Sequence, residues 1–186
     1  MTSVGGSFDP GVYRVINYNG SLVNNGLVLG NVPSPDFYIQ TSVPGQVNLI
    51  NKAGMTLRYW DGGLSTSRNN GIIEGGNGLW QNYTGNDNWT EDTGAINAPF
   101  NNGAFAVFMG AAGTVTVDGS LGAVNASGMQ FLVDGYVIEG DVVNLAGVPA
   151  AVIRVGDGTA AGKTLQPRLV PISTARHSSR SPTWGR

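Results

Sequence analysis

The chain has 186 residues, enough for one folded domain with a core. Only 12% of the residues are charged and the formal net charge is −2; all twelve acidic residues precede residue 166, while four arginines follow residue 165. Because nucleic-acid binding needs a basic face to meet phosphates, this acidic body argues against that class of function. Glycine (29 residues) and asparagine (18 residues) are abundant and lysine is scarce, so the composition predicts an all-β protein.

The absence of cysteine and of long apolar runs restricts the class further. Without disulfides, we expect stability to come from an extended ladder of backbone hydrogen bonds. The first ten residues have neither the basic patch nor the apolar run of a signal peptide. No run approaches the roughly 18 apolar residues that span a bilayer as a helix. We therefore expect either a cytosolic protein or a piece of a larger one.

Short apolar segments separated by Gly, Asn and Pro begin after a polar leader, residues 1–10. Asn-Gly and similar pairs tolerate the positive φ of sharp turns, so each segment is predicted to be a strand. In the last of them, Met55, Leu57 and Tyr59 are expected to face inward and Thr56, Arg58 and Trp60 outward. The predicted strands are Tyr13–Tyr18, Leu22-Val23, Leu27–Leu29, Phe37–Ser42, Val47–Asn51 and Met55–Trp60.

A second regular block follows an irregular insertion at residues 64–103. The block starts at Ala104–Met109 and continues to Gly158, and Asp-Gly or other glycine turns separate its runs. Runs of three to five residues cannot bury a face alone, so they must stack on one another. The five later predicted strands are Thr114–Val117, Met129–Val133, Tyr136–Glu139, Val142–Leu145 and Ala151–Val155.

The recurrence of these runs favours a β-solenoid, with an antiparallel β-sandwich as the alternative. Groups of two or three strands recur at roughly 18–25 residues, the scale of a solenoid repeat in which each coil pairs with its neighbours. Polar residues such as Gln130, Glu139, Asn144 and Arg154 are expected on the outer walls. The predicted inward column is Val115, Val117, Met129, Phe131, Val133, Ile138, Val143, Leu145, Ile153 and Val155.

Several segments resemble the strand repeat of autotransporter passenger regions, the secreted half of Gram-negative type V secretion proteins. The resemblance covers most of residues 11–162. Its segments are YWDGG (59–63), IEGGNGLWQN (73–82), NWTEDTG (88–94), FAVFMGAAGTVTVD (105–118), GMQFLVDGYVIEGD (128–141), VNLAG (143–147) and IRVGDGTAAG (153–162).

The resemblance implies a right-handed single-stranded parallel β-helix on the cell surface, anchored by a C-terminal outer-membrane barrel in the parent protein. It also implies a non-catalytic, adhesive segment whose partner is a host-surface protein or glycan. This chain has neither a signal peptide nor the many amphipathic strands of such a barrel, so we expect it to be a fragment. The division expected is a β-helical segment at 11–162, regular at 11–63 and 104–162, and a basic, disordered tail at 163–186.

The acidic residues and the single histidine do not form a predicted catalytic site. Asp118, Asp134, Asp141 and Asp157 each adjoin glycine, where an aspartate caps a turn through its own side chain. Solenoid-type sugar hydrolases and lyases also carry wall aspartates, so a carbohydrate-active β-helix is the alternative function. No nucleophilic or metal-binding group can be assembled around His177. We therefore expect no enzyme activity, no metal and no cofactor.

The aromatic residues Trp60, Trp80, Tyr83 and Trp89 are the candidate ligand contacts. Aromatic rings of this kind stack on sugars when they are exposed. The alternative interpretation is that they fill the coil ends or seal the insertion against the body of the protein.

Overall fold

A computed structural model describes residues 10–147, 149–156, 165–169 and 172–174 of the chain. Its regular structure is β-strand, apart from one turn of 3₁₀ helix at Ser65–Ser67. In the described part of the chain, no helix is long and apolar enough to cross a membrane. The predicted all-β class is confirmed. Predictions for the leader up to residue 9, for Asp157 and for His177 fall outside the described residues.

The first sheet is antiparallel and contains β1 (Gly11–Asn17), β2 (Phe37–Gln40) and β3 (Gln46–Asn51). Its strand order is β1-β3-β2, with a bulge in β1 between Arg14 and Ile16. We call it the N-terminal sheet. The three corresponding sequence predictions are confirmed, with boundaries shifted by no more than about two residues.

The strands predicted at Leu22-Val23 and Leu27–Leu29 are not found, and the structure has a turn between them. The side chain of Asn24 accepts hydrogen bonds from the backbone N–H groups of Gly26 (3.1 Å) and Leu27 (2.8 Å). Such local bonding competes with strand pairing. The apolar side chains on both sides of the turn are exposed, so those runs do not contribute to the core.

The remaining strands form three further sheets. Their bounds are β4 (Tyr59–Trp60), β5 (Gly78–Gln81), β6 (Trp89–Thr90), β7 (Asn97–Ala98), β8 (Phe105–Phe108), β9 (Thr114–Asp118), β10 (Val124–Ala126), β11 (Gly128–Phe131), β12 (Val137–Gly140), β13 (Val143–Leu145), β14 (Val152–Val155), β15 (Arg168–Leu169) and β16 (Ile172–Thr174). The mixed sheet has the order β14-β11-β8-β4-β6-β7, and the two parallel sheets have the orders β15-β12-β9-β5 and β10-β13-β16.

The chain visits the three sheets in turn and then returns to the first. Strands β8, β9 and β10 lie in different sheets, and β11, β12 and β13 pair with them in the same order, each in parallel. Phe105 is paired with Gly128, 23 positions later, and Gly128 with Val152, 24 positions later. Among the described strands from β8 to β16 every pair is parallel, which an antiparallel sandwich does not provide.

The core lies between these three sheets and is rich in aromatic side chains. Phe108 and Phe131, on neighbouring rungs of the mixed sheet, stack with ring centroids 4.8 Å apart and planes 8° apart. Tyr136 is fully buried against both rings and donates a hydrogen bond to the carbonyl of Met109 (2.7 Å). Seven of the predicted inward residues are buried: Val115, Val117, Met129, Phe131, Ile138, Val143 and Leu145.

The other three residues of the predicted inward column are not fully buried. Ile153 and Val155 are 39% and 42% exposed, and Val133 is only partly buried. Strand β14 pairs on one side with β11 and has no described strand on the other. Its side chains are therefore covered by a neighbouring strand on one side only. Ile153 and Val155 are in register with the buried Met129 and Phe131, as the inward prediction requires, but they are not buried.

Part of the predicted disordered tail is instead paired. Arg168–Leu169 and Ile172–Thr174 extend the two parallel sheets beyond β12 and β13. The N–H of Arg168 donates to the carbonyl of Tyr136 (2.9 Å), which continues the ladder despite the prolines nearby. The other residues of the range 163–186, except 165–167, lie outside the described residues.

The strand predicted at Met55–Trp60 is reduced to β4, and its alternation is broken. Asn101 pairs with Leu57 in place of a neighbouring strand: the Leu57 N–H donates to the Asn101 side chain (3.3 Å), and the Asn101 N–H donates to the Leu57 carbonyl (3.1 Å). Leu57 and Trp60 are both fully buried, whereas Tyr59 is only partly covered. The outward prediction for Trp60 and the inward one for Tyr59 are therefore wrong.

Candidate binding surface

Three of the four predicted ligand-contact residues lie in the core. Trp60, Trp80 and Trp89 each have 0% exposed surface, whereas Tyr83 is 50% exposed. Trp89 contacts both other tryptophans, with centroids 5.2 Å from Trp60 and 4.8 Å from Trp80. The prediction of ligand contact assumed that these rings are exposed, and this assumption is wrong for the three tryptophans. They instead seal the insertion against the core. A ligand role for Tyr83 stays a prediction.

The described aspartates beside glycines bind backbone N–H groups, but only Asp118 caps its own turn as predicted. The carboxylate of Asp118 accepts from the Ser120 N–H (2.9 Å), and that of Asp141 accepts from the Gly119 N–H on the preceding rung (2.9 Å). Asp134 accepts from the Gln166 N–H (2.7 Å). The hydrogen bonds to Asp118, first that of Ser120, hold its pKa below the usual value. Within the described residues, no three His, Cys, Asp or Glu side chains are grouped to hold a metal.

A buried polar network joins the N-terminal sheet to the insertion. Arg68 and Asp87, both nearly inaccessible, form an ion pair with 3.2 Å between Nε and the carboxylate. The other Asp87 oxygen accepts hydrogen bonds from Gln40 of β2 (2.9 Å) and from Ser42 (2.5 Å). Burial, with Asp87 adding to it, raises the pKa of Tyr38 well above 10.0, so that this hydroxyl stays protonated and donates to the Asn97 carbonyl. The network is a structural junction, since each of these groups bonds within the chain.

A second buried carboxyl, Asp61, lies at the centre of the same junction. It accepts hydrogen bonds from the Asn97 side chain (2.7 Å) and from the Glu74 N–H (2.7 Å). Burial, helped by the Glu74 carboxylate, raises the pKa of Asp61 to about 7, although the two hydrogen bonds oppose that shift. A perturbed carboxyl can mark an active site. Asp61 is 1% exposed and lines neither cavity described below, so it has no access to a substrate.

A large surface cavity, the junction cleft, lies between the N-terminal sheet and the loop at residues 91–96. Its volume is about 1150 Å³, and its walls include Arg14, Arg58, Glu91 and Asp92. Burial alone would raise the pKa of Glu91, but its hydrogen bonds from Thr93 and from the N–H groups of Ala95 and Ile96 together lower it. Its walls carry both arginines and carboxylates, and the Glu91 carboxylate is already bonded within the chain, so the cleft does not present charge of one sign to a ligand.

The smaller cavity, the lateral groove, runs across the outer face of the mixed sheet and has a volume of about 600 Å³. Its floor follows from the strand register: Tyr59, Val107, Gln130 and Arg154 are in line on successive rungs. Parallel strands lie roughly 4.8 Å apart, so these side chains form a column across four strands. The groove is therefore built on regular strands, which hold its side chains in fixed positions.

Aromatic and cationic side chains share the lateral groove. The guanidinium of Arg58 lies 5.2 Å from the ring centroid of Tyr59, and that of Arg154 lies 6.0 Å from the ring centroid of Phe105. Among the described residues that line the groove, none is acidic. Sequence reasoning missed this site because it depends on register between residues more than 20 positions apart. The only local signal was the outward aromatic Phe105 in the predicted strand Ala104–Met109.

The fold and the groove together define an all-β scaffold of stacked strands that presents side chains on an outer sheet face. The chain is thus an all-β protein with a candidate contact surface on one outer sheet face.

Comparison of the sequence with known proteins identifies a relative of this chain. The chain is 58% identical over 166 residues to the adhesin BmaC autotransporter of Brucella suis biovar 1 (strain 1330). The alignment covers 87% of this chain but only 5% of that protein's length. The predicted resemblance to autotransporter proteins is confirmed. No family model matches the chain, and no solved structure matches it significantly.

Proposed function

We propose that this chain is a non-catalytic, adhesive segment of an autotransporter passenger displayed at a Gram-negative cell surface. The observation that carries the proposal is the 58% identity to an autotransporter adhesin across 87% of the chain. The lateral groove supports it, because its aromatic and cationic side chains lie on the outer face of a regular sheet. A host-surface protein or glycan is the proposed partner.

The proposed scaffold is a right-handed parallel β-helix over residues 11–162. The parallel pairing of β8 to β11, β9 to β12 and β10 to β13 supports it, since one coil contributes one strand to each of three sheets. Each coil then contacts only its neighbours, and stability grows as coils are added. The ladder of backbone hydrogen bonds would hold the groove rigid and expose it along the side of the stack.

The non-catalytic part of the proposal is supported by the positions of the carboxylates. Asp118 and Asp141 are bonded to turns, and Asp61 is buried away from both cavities. Glycoside hydrolysis would need two carboxyl groups flanking one substrate bond, roughly 5–9.5 Å apart. Among the described residues, no acidic side chain lines the lateral groove.

Adhesion of the isolated chain tests the proposal. Fluorescent beads coated with the folded chain are expected to adhere to cultured mammalian epithelial cells, and soluble chain should compete for this adherence in a saturable way. Beads coated with the heat-unfolded chain are the control. Equal adherence of the two kinds of bead would contradict an adhesive function.

A further inference from the structure

The lateral groove contains an aromatic platform that depends on one glycine. Phe105 and Gly128 are paired on neighbouring strands, and both positions face outward. A Cβ atom at Gly128 would meet the Phe105 ring at 2.7 Å and the Val152 carbonyl at 2.4 Å. The ring therefore occupies the space that any other side chain would fill, and it lies against the sheet instead of standing away from it.

The charges around this platform are of one sign. Arg154 is exposed and its guanidinium lies 6.0 Å from the Phe105 centroid, while Arg58 lines the groove near Tyr59. Neither arginine forms an ion pair with a described residue. On a body that is otherwise acidic, the groove therefore concentrates unpaired positive charge beside an apolar ring.

At the centre of the groove, strands β8 and β11 are closed to a peptide strand, and the open edge of the sheet lies at its border, on β14. Strand β8 is paired with β4 and β11, and β11 is paired with β8 and β14, so both have neighbours on each side. A peptide that binds by adding a strand needs a free edge, and neither strand offers one. At about 600 Å³ the groove has the size of a small-molecule site. The side-chain surface thus suits a compact ligand with an apolar face and a negative charge.

We propose that the lateral groove binds an acidic saccharide, whose C–H face packs on Phe105 and whose carboxylate pairs with Arg154. The negative π-face of an aromatic ring attracts the weakly positive C–H groups of a sugar. A guanidinium binds a carboxylate through charge-assisted hydrogen bonds. Gln130, on the rung between Val107 and Arg154, supplies an amide beside the platform. The inference rests on the proposed adhesive function and names the ligand class of that surface.

Titration of the full chain with defined sugars tests the inference. The probes are 3′-sialyllactose and a hyaluronan tetrasaccharide, with lactose as the neutral control and hexaglutamate as an acidic peptide. At least one acidic sugar is expected to bind roughly ten-fold or more tightly than lactose, since hydrogen bonds to charged groups contribute about 1.5–3 kcal/mol. Affinity should fall as salt is added. Failure of both acidic sugars, or equally tight binding of hexaglutamate, would overturn the inference.

Two variants and a matched control locate the site. Arg154→Gln is expected to weaken acidic-sugar binding roughly ten-fold or more, and Phe105→Ala should weaken binding as well. Arg168→Gln removes an exposed arginine from a different sheet and should leave the affinity unchanged. Circular dichroism checks that each variant folds. Equal losses in Arg154→Gln and Arg168→Gln would indicate non-specific charge attraction and would overturn the assignment.

The bead assay separates this inference from the adhesive function. If beads coated with Arg154→Gln adhere as well as wild-type beads, while neither acidic sugar binds the wild-type chain, the adhesive function stands and the acidic-saccharide inference fails. If neither kind of bead adheres while an acidic sugar binds the wild-type chain, the inference stands and the adhesive function fails.

Discussion

At the scale of single residues, burial decides what the polar groups of the junction do. Asp61 has a raised pKa because its charge is poorly solvated and the Glu74 carboxylate is near. Glu91 has a lowered pKa because several N–H and O–H donors converge on its carboxylate and outweigh its burial. The environment of Asp61 could not be predicted from the sequence, since its partners are 13 and 36 positions away, whereas the donors to Glu91 lie within five positions of it.

Because Asp61 titrates, the free energy of unfolding is expected to depend on pH. The substitution Asp61→Asn should remove this contribution. Its folded pKa of about 7 exceeds the model-peptide value of 3.8, so the unfolded chain releases the proton first as pH rises. The contribution of Asp61 to stability is therefore fully present below about pH 4 and is lost as pH rises to about 7, by at most about 1.4 kcal/mol per pH unit. Relative to Asp61→Asn, the wild-type chain should lose stability between pH 4.5 and 7.5.

Urea unfolding of both chains across this range provides the measurement. Asp92→Asn, a substitution of an exposed carboxylate in the same region, is the control and should track the wild type. A difference between wild type and Asp61→Asn that stays constant with pH would show that Asp61 does not titrate in this window.

The buried tryptophans differ in their hydrogen bonding, and this difference predicts different costs of substitution. The Trp60 indole N–H donates to the Gly76 carbonyl (2.8 Å), whereas the Trp80 indole N–H is buried without a partner among the described residues. Trp60→Phe leaves the partly buried Gly76 carbonyl without this donor, while Trp80→Phe removes an unpaired donor with the same loss of volume. We expect Trp60→Phe to cost about 1–3 kcal/mol more than Trp80→Phe. Thermal or urea unfolding measures this, and equal costs would contradict the assigned bond.

At the scale of strands, much of the repeat could be predicted from local sequence. The five runs between Thr114 and Val155 correspond to β9, β11, β12, β13 and β14 within about two residues, because glycine and aspartate turns separate them. Strand β10 was not predicted, since Val-Asn-Ala has a single large apolar side chain and is fixed by pairing with β13. The buried orientation of Trp60 could not be predicted either, because distant Asn101 interrupts the alternation.

The lateral groove could likewise be predicted from the sequence only in part. Phe105 was placed in a strand from the sequence, but its orientation depends on Gly128 in the next coil. Arg154 reaches the ring from a third strand, β14. The local sequence pattern predicts the strands, but the groove depends on the register between β8, β11 and β14.

At the scale of the whole molecule, the chain from β8 to β13 passes through three sheets and returns to each of them in register. That path places outward residues of β8, β11 and β14 side by side, and these residues form the lateral groove. The sequence alone left a solenoid and an antiparallel sandwich open, because both have alternating strands. The parallel pairing of β8 with β11 and of β9 with β12 supports the solenoid of the proposed function, and it involves residues more than 20 positions apart.

Engineered disulfide formation tests this path most directly, since the chain contains no cysteine of its own. Thr116 and Glu139 are exposed and paired in register on β9 and β12, within the distance that a disulfide spans. The double variant Thr116→Cys, Glu139→Cys is expected to crosslink within the monomer under mild oxidation. The pair Thr116→Cys, Arg168→Cys, two rungs apart, should remain reduced. No crosslink in the first pair, or equally fast crosslinking in both, would contradict the in-register coil.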